Sequence, residues 1–147
     1  MRTLLPVAAV LLAAAASPAV AAPKPITKTY TATAPVPDPT NAAPNAPYTV
    51  CPQVVPQSFQ VEAFKAPAPG KLAVEVSGIQ GDWDLLITDA KGAEVGSSGN
   101  GGYGTPAAPS VEKATVKVKK GGVTYSIVAC NWAGAPTATV KYTFTYA

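Results

Sequence analysis

The sequence predicts an all-β protein: an antiparallel β-sandwich, jelly-roll-like, with seven to eight strands and a proline-rich N-terminal arm. Short segments alternate apolar and polar residues with a period of two, and glycine and proline clusters separate these segments. Outside the first 21 residues no segment shows the 3.6-residue period of a helix. A chain of 147 residues is long enough for one domain with one hydrophobic core.

Residues 1–21 have the three parts of a secretory signal peptide. Arg2 supplies a positive charge, an apolar run extends from Leu4 to Ala16, and small residues precede a predicted cleavage after Ala21. The apolar run is shorter than the roughly 20 residues that span a bilayer. We therefore expect a secreted or periplasmic protein that makes no membrane contact once the signal is removed.

The chain contains two cysteines, Cys51 and Cys130, which allow one intramolecular pairing. The closed loop would span 130 − 51 = 79 positions, and its closure is worth about 4 to 5 kcal/mol in the chain-entropy model. Two thiols without histidine do not complete the usual four-ligand zinc site, and their spacing differs from that of a C-x-x-C redox pair. We therefore predict a structural disulfide.

Residues 22–56 are predicted to form one strand followed by an extended arm. Ile26, Lys28 and Tyr30 alternate with threonines, which favours an edge strand or an ordered arm. Seven prolines lie between residues 35 and 56, and they favour an extended, polyproline-like chain. A disulfide at Cys51 would tether this arm to the sandwich domain, which we predict over residues 57–147.

The stretch from Gly70 to Gly92 is predicted to supply two central strands. Two sets of apolar residues alternate with polar or small ones: Leu72, Val74 and Val76, then Leu85 and Ile87. Between them Gly81–Asp84 reads as an acidic corner. Asp89–Gly92 has the composition of a hairpin turn, with an aspartate that caps the turn and a glycine that adopts the left-handed conformation. A short strand over residues 93–97 follows this turn.

Four more strands show the same alternation, over residues 59–64, 113–119, 123–132 and 138–146. Ala114, Val116 and Val118 give the second of these a buried face, and its lysines give a cationic face that discourages pairing at a sheet edge. The glycine-rich segment 96–109 is predicted as the longest loop of the domain.

The charge balance argues against a nucleic-acid partner. Lysine and arginine number 11 against 8 aspartates and glutamates, and loss of Arg2 with the signal leaves 10 against 8. A nucleic-acid-binding domain carries a strong basic surplus clustered on one face. We therefore expect no nucleic-acid binding.

The composition also argues against catalysis. The chain has no histidine, which removes the usual general base of a hydrolytic triad. Asp82 and Asp84 are spaced so that a strand would project both to one face and Trp83 to the other. Neighbouring carboxylates on one strand do not form the opposed walls of a glycosidase cleft. We therefore expect no enzymatic activity.

Calcium is the candidate cofactor, because clustered carboxylates are the hard oxygen ligands that this ion takes. Asp82 and Asp84 would be its main ligands, with Asp89 and Asn100 as further ones. The alternative is that the aspartates cap the corner by accepting hydrogen bonds from backbone N–H groups.

Aromatic residues suggest a second kind of ligand site. Tyr103, in the glycine-rich loop, is predicted to be exposed and able to stack on a sugar ring, with Asn100 as a polar neighbour. For Trp83 and Trp132 we favour packing in the core or at the corner.

Several segments resemble the bacterial pre-peptidase C-terminal domain family. They are Leu72–Gly78, Gly81–Gly92, Ser97–Ser98 and Gly122–Ala129, and the similarity covers about residues 57–146. The D-x-D-L corner followed by the D-x-x-G turn is its most specific part. The resemblance implies a jelly-roll-like module of exported hydrolases that assists export, folding or substrate attachment. Asp82 and Asp84 are the positions that match the family's acidic corner, and the related collagen-binding modules bind calcium.

We therefore expect an exported, non-catalytic binding or accessory module whose partner is an exported hydrolase or an extracellular polymer. Two alternatives stay open. One is a calcium-dependent carbohydrate- or protein-binding module centred on Asp82, Asp84 and the glycine-rich loop. The other is a partner or inhibitor of an exported peptidase that uses the proline-rich arm as its contact segment.

Overall fold

The computed structural model describes residues 21–38, 50–99 and 111–147. Most of the predicted signal peptide and parts of the proline-rich arm and glycine-rich loop lie outside these residues. The described residues form eight strands in two antiparallel four-stranded sheets and contain no helix. The predicted all-β sandwich of seven to eight strands is confirmed.

Sheet A consists of β1 (Ile26–Thr33), β3 (Gly70–Ser77), β6 (Glu112–Val118) and β8 (Thr137–Tyr146). Sheet B consists of β2 (Phe59–Lys65), β4 (Gly81–Thr88), β5 (Glu94–Ser98) and β7 (Thr124–Gly134). The strand orders are β1-β8-β3-β6 and β2-β7-β4-β5. Every connection except that from β4 to β5 crosses between the sheets, which gives the two-sheet arrangement of a jelly roll.

The period-two alternation buries one face of each sheet against the other. Sheet A contributes a row from each of its inner strands, for example Leu72 of β3 and Phe144 of β8, both fully buried. The ring of Phe64 from sheet B lies 5.3 Å from that of Tyr142 and 5.5 Å from that of Phe144. The face predicted for β6, with Ala114, Val116 and Val118, is the face that the structure buries.

The two strands predicted from the central stretch, β3 and β4, are both inner strands, but they lie in opposed sheets. The predicted acidic corner is wrong: Gly81–Asp84 begins β4, because β7 offers backbone partners along all of it. The chain turns before this point, at residues 78–80. Gly81 has a φ of 104°, and a Cβ there would lie 2.2 Å from the carbonyl oxygen of Ala133, so this crossing requires glycine.

Strand β1 is an edge strand, which was one of the two predicted alternatives, and it pairs with β8 along its whole length. The sandwich therefore includes β1, which precedes the predicted start of the sandwich domain at residue 57. Two contacts also join β1 to β2 across the gap between the sheets. Lys28 forms an ion pair with Glu62, and the backbone N–H of Thr33 donates to the side-chain oxygen of Gln60 at 2.7 Å.

The hairpin from β4 to β5 is built by local residues. The Oδ1 atom of Asp89 accepts hydrogen bonds from the backbone N–H groups of Lys91 and Ala93 at 2.8 and 3.0 Å, and Gly92 has a φ of 79°. Both features were predicted. Strand β5 extends to Ser98, so residues 96–98 of the predicted glycine-rich loop are strand. Its register with β4 pairs Gly96 with Ile87 and Ser98 with Leu85.

Candidate functional site

The predicted disulfide between Cys51 and Cys130 is present, with the two Cα atoms 5.4 Å apart. Both cysteines are buried, and they form a second apolar cluster with Leu86 and Val128 on the outer face of sheet B. The segment that contains Cys51 therefore covers this face. A buried disulfide is consistent with an extracellular or periplasmic protein.

Asp38 fixes the covering segment at a second point. Its side chain is buried, and its Oδ2 atom accepts hydrogen bonds from the backbone N–H groups of Val54 and Val55 at 3.3 and 3.2 Å. Its own backbone N–H donates to the carbonyl oxygen of Asn131 at 2.9 Å. Asp38 therefore links the end of the first described segment, the start of the second and β7.

Asp84 lies on the same outer face of sheet B. It is directly opposite Cys130 in the register of β4 and β7, and opposite residues of an antiparallel pair share a face. Only 2% of Asp84 is exposed. Its neighbour Trp83 points into the main core, where its Nε1–H donates to the carbonyl oxygen of Ala135 at 3.1 Å. Asp84 therefore belongs to the closed layer beneath the disulfide-linked segment.

Asp82 has different surroundings from Asp84. The pKa of its carboxyl is raised from the ordinary value, first by burial and then by the negative charge of Glu112. Glu112 is itself buried, and it accepts a hydrogen bond from the Ser98 hydroxyl. Asp82 at the start of β4 is thus close enough to Glu112 at the start of β6 for the charge of Glu112 to raise the pKa of Asp82. Ser98, at the end of β5, is the hydrogen-bond donor to Glu112.

The three aspartates predicted as calcium ligands are not brought together. Asp89 follows the last residue of β4, whereas Asp82 is near its start, and seven residues of extended chain separate them by about 20 Å. Asp89 also serves the hairpin described above. The residues that the structure describes contain no group of three or more carboxylate, cysteine or histidine side chains placed to hold a metal ion. Asn100 and Tyr103 lie outside the described residues.

The outward surface is basic, although the sequence is nearly neutral. All ten lysines are exposed, whereas four of the eight carboxylate residues are buried: Asp38, Asp82, Asp84 and Glu112. The surface therefore carries ten lysines but only 8 − 4 = 4 carboxylate residues, since the other four are buried. The charge count alone could not reveal this imbalance, because it depends on which residues the fold encloses.

Two open clefts lie on either side of the end of β6. One has a volume of about 480 Å³ and is bordered by Lys71, Thr115, Lys117 and Thr145. The other has a volume of about 720 Å³ and is bordered by Lys117, Lys119 and Lys120, by the carboxylate residue Asp89, and by the apolar residues Val95, Val116, Val123 and Tyr125. Lys117 borders both clefts. We call Lys71, Lys117, Lys119 and Lys120 the lysine patch.

Sequence reasoning missed three residues that organise this structure: Asp38, Glu112 and Asn131. Asn131 is fully buried, and its Nδ2 atom donates to the carbonyl oxygen of Ala34 at 2.8 Å. Asp38 and Glu112 are carboxylates enclosed by distant parts of the chain. Each stands in an ordinary polar setting in the sequence, so only the fold reveals its burial.

Comparison with protein-family models and with curated proteins gives no match to this chain. Within the described ranges, no helix is long and apolar enough to cross a membrane.

Proposed function

We propose that this chain is an exported, non-catalytic β-sandwich module that binds or assists another extracytoplasmic macromolecule. The segregation of charge carries this proposal, since the fold encloses half of the carboxylate residues and leaves every lysine outside. A single-sign surface attracts a partner of opposite charge and orients it before contact. The buried disulfide and the signal-like N-terminus support an extracytoplasmic setting.

The resemblance to pre-peptidase C-terminal domains also supports an accessory role, and the jelly-roll strand order agrees with it. The acidic residues that would attract an enzymatic interpretation have structural surroundings. Asp84 lies beneath the disulfide-linked segment, and Asp89 caps a hairpin. In this proposal the partner is an exported hydrolase or an extracellular polymer.

The test of a non-catalytic role is a turnover assay. The oxidised protein, purified after export, is incubated with panels of polysaccharide, peptide and ester substrates, beside an Asp84→Asn variant and a Thr139→Ala variant as the matched surface control. We expect no turnover that depends on Asp84. Hydrolysis by the parent protein that is lost in Asp84→Asn and kept in Thr139→Ala would overturn the proposal. Sequencing of the exported chain should begin at Ala22.

A calcium-dependent binding module is the second candidate, and the electrostatic repulsion between the buried carboxylates of Asp82 and Glu112 favours it. A divalent cation between two buried carboxylates would offset their repulsion. Calcium takes six to eight oxygen ligands, and these two carboxylates offer four at most. The expected result is a rise in melting temperature with calcium that chelator reverses and that Asp82→Asn abolishes. Equal melting temperatures in calcium and in chelator would remove this candidate.

The peptidase-partner alternative depends on the segment from Pro35 to Pro47, most of which lies outside the described residues. It stays a prediction, and deletion of that segment tests it through complex formation with an exported peptidase.

A further inference from the structure

The lysine patch carries an unusual electrostatic arrangement. Lys71 and Lys117 are directly opposite in the register of β3 and β6, on the outer face of sheet A. Like charges at directly opposite positions destabilise a sheet. Lys28 with Glu62 and Lys113 with Glu75 are ion pairs between described residues, and neither includes a member of the patch. Of the described carboxylates, Asp89 borders the second cleft but forms no ion pair with a patch lysine. A bound anion would supply the missing countercharge.

The positions of the two clefts indicate the shape of this anion. Lys117 stands between the two clefts, with Lys71 on one side and Lys119 and Lys120 on the other. A ligand that satisfies all four lysines must therefore cross the end of β6 and occupy both clefts. A single small anion reaches only one of them. The geometry favours an extended ligand with repeated negative charges.

The turn that carries Lys119 and Lys120 is held against the neighbouring turn. The N–H of Gly122 donates to the carbonyl oxygen of Ala66 at 2.7 Å. The N–H of Ala66 donates in turn to the carbonyl oxygen of Val123 at 2.9 Å. A Cβ at Gly121 would lie 2.5 Å from the carbonyl oxygen of Pro67, so the two turns touch through their backbones. The backbone that positions these lysines is therefore ordered before any ligand arrives, which lowers the entropic cost of binding.

The other groups in the clefts favour a hydroxyl-rich ligand over a lipid surface or a nucleic acid. Thr115 and Thr145 border the first cleft with hydroxyls that both donate and accept hydrogen bonds. Of the large apolar residues that are exposed among the described ones, only Val95 borders either cleft, whereas insertion into a lipid surface uses an apolar face. Two tyrosines border the clefts: Tyr125 is buried, and Tyr146 is partly buried with its ring centre 5.1 Å from that of Phe144. Stacking of bases uses exposed aromatic faces.

We propose that the lysine patch binds an acidic polysaccharide, whose carboxylates pair with the lysines and whose hydroxyls contact Thr115 and Thr145. This inference rests on the proposed binding function and names its ligand class and its site. Lysine pairs with a carboxylate as a point charge and needs no fixed orientation. An open, lysine-rich surface therefore suits a polymer that varies in local conformation.

The test measures binding of the oxidised protein to alginate, a polymer of uronic acids, by calorimetry, with neutral dextran as the comparison polymer. The double variant Lys71→Gln/Lys117→Gln is compared with Lys24→Gln/Lys113→Gln, which removes the same charge. Lys113 is on the same strand, four residues and about 13 Å from Lys117. We expect the first variant to weaken alginate binding at least tenfold and the control less than twofold. Affinity should also fall as sodium chloride is raised.

Equal losses in the two double variants would overturn the inference, because they would show attraction by net charge alone. Binding to dextran as strong as that to alginate would overturn it as well. Binding to vesicles of phosphatidylglycerol without binding to alginate would identify a lipid surface in place of a polysaccharide. Each of these results leaves the turnover assay unaffected, so the failure of this inference is distinguishable from failure of the proposed function.

Discussion

The side-chain amide of Asn131 donates to the backbone carbonyl of Ala34 at 2.8 Å, although the two residues are 97 positions apart. The same Nδ2 atom also lies 3.3 Å from the carbonyl oxygen of Ala135. One fully buried side chain thus joins the segment after β1 to the turn between β7 and β8.

We expect Asn131→Ala to destabilise the protein by about 2 to 4 kcal/mol, because it leaves the carbonyl of Ala34 unpaired in the interior and opens a cavity. Urea denaturation followed by tryptophan fluorescence measures the change. Thr137→Ala, on an exposed residue close to the same turn, is the control, and it should stay within about 0.5 kcal/mol of the parent. If Asn131→Ala lowered the free energy of unfolding as little as Thr137→Ala, the buried hydrogen bond from Asn131 to Ala34 would not stabilise the protein.

Loss of the disulfide should lower the free energy of unfolding by about 3 to 5 kcal/mol, since the covalent link closes a long loop in the unfolded chain. The double variant Cys51→Ala/Cys130→Ala is compared with the oxidised and reduced parent protein. Reduction of the parent protein and substitution of both cysteines should lower the free energy of unfolding by similar amounts if the thiols make little other contribution to stability. An unchanged denaturation midpoint after complete reduction, verified by mass spectrometry, would show that the covering segment holds without the covalent bond.

Tyr30→Phe should stabilise the protein by about 1 kcal/mol at neutral pH, because the Tyr30 hydroxyl is buried and has no hydrogen-bond partner among the described residues. Burial also raises the pKa of this phenol well above its usual value of 10.0. The unfolded chain therefore ionises first as pH rises above about 10, and stability falls there. Tyr30→Phe should flatten that fall in alkaline urea titrations. Tyr146→Phe, at a partly exposed tyrosine, serves as the comparison.

The raised pKa of Asp82 predicts a pH dependence at the acid end. A carboxyl with a higher pKa in the folded protein binds more protons there than in the unfolded chain, so its contribution to stability falls as pH rises above the ordinary value of 3.8. Asp82→Asn should therefore be more stable than the parent at pH 7 and close to it at pH 3. A variant that is less stable than the parent at pH 7 would show that the charged carboxylate has a favourable partner.

The sequence predicted the features of this fold that local residues determine. The alternation of Ala138, Val140, Tyr142 and Phe144 identifies the buried face of β8, and Asp89 with Gly92 identifies the hairpin turn. Both depend on residues within a few positions of each other. The disulfide was also predictable, because two cysteines permit one pairing.

The features that were missed depend on which distant segments meet. Nothing near Glu112 shows that its side chain faces Ser98 and Asp82, and nothing near Asp38 shows that it receives two N–H groups from residues 54 and 55. The predicted acidic corner failed for the same reason, since Gly81–Asp84 is held as strand by its pairing with β7. Net charge does not reveal the basic surface for a related reason, because the fold encloses more carboxylates than lysines.

The pairing of β1 with β8 has a consequence for the order in which the molecule can assemble. The hydroxyls of Thr27 and Thr143 lie 3.2 Å apart across this pair, yet 116 positions separate the two residues along the chain. A chain that emerges N-terminus first therefore carries β1 with both of its edges unpaired until the last strand has followed. Contacts of such long sequence separation form slowly. Arrival of β8 pairs one edge of β1 and ends the interval in which both edges are open to another copy of the chain.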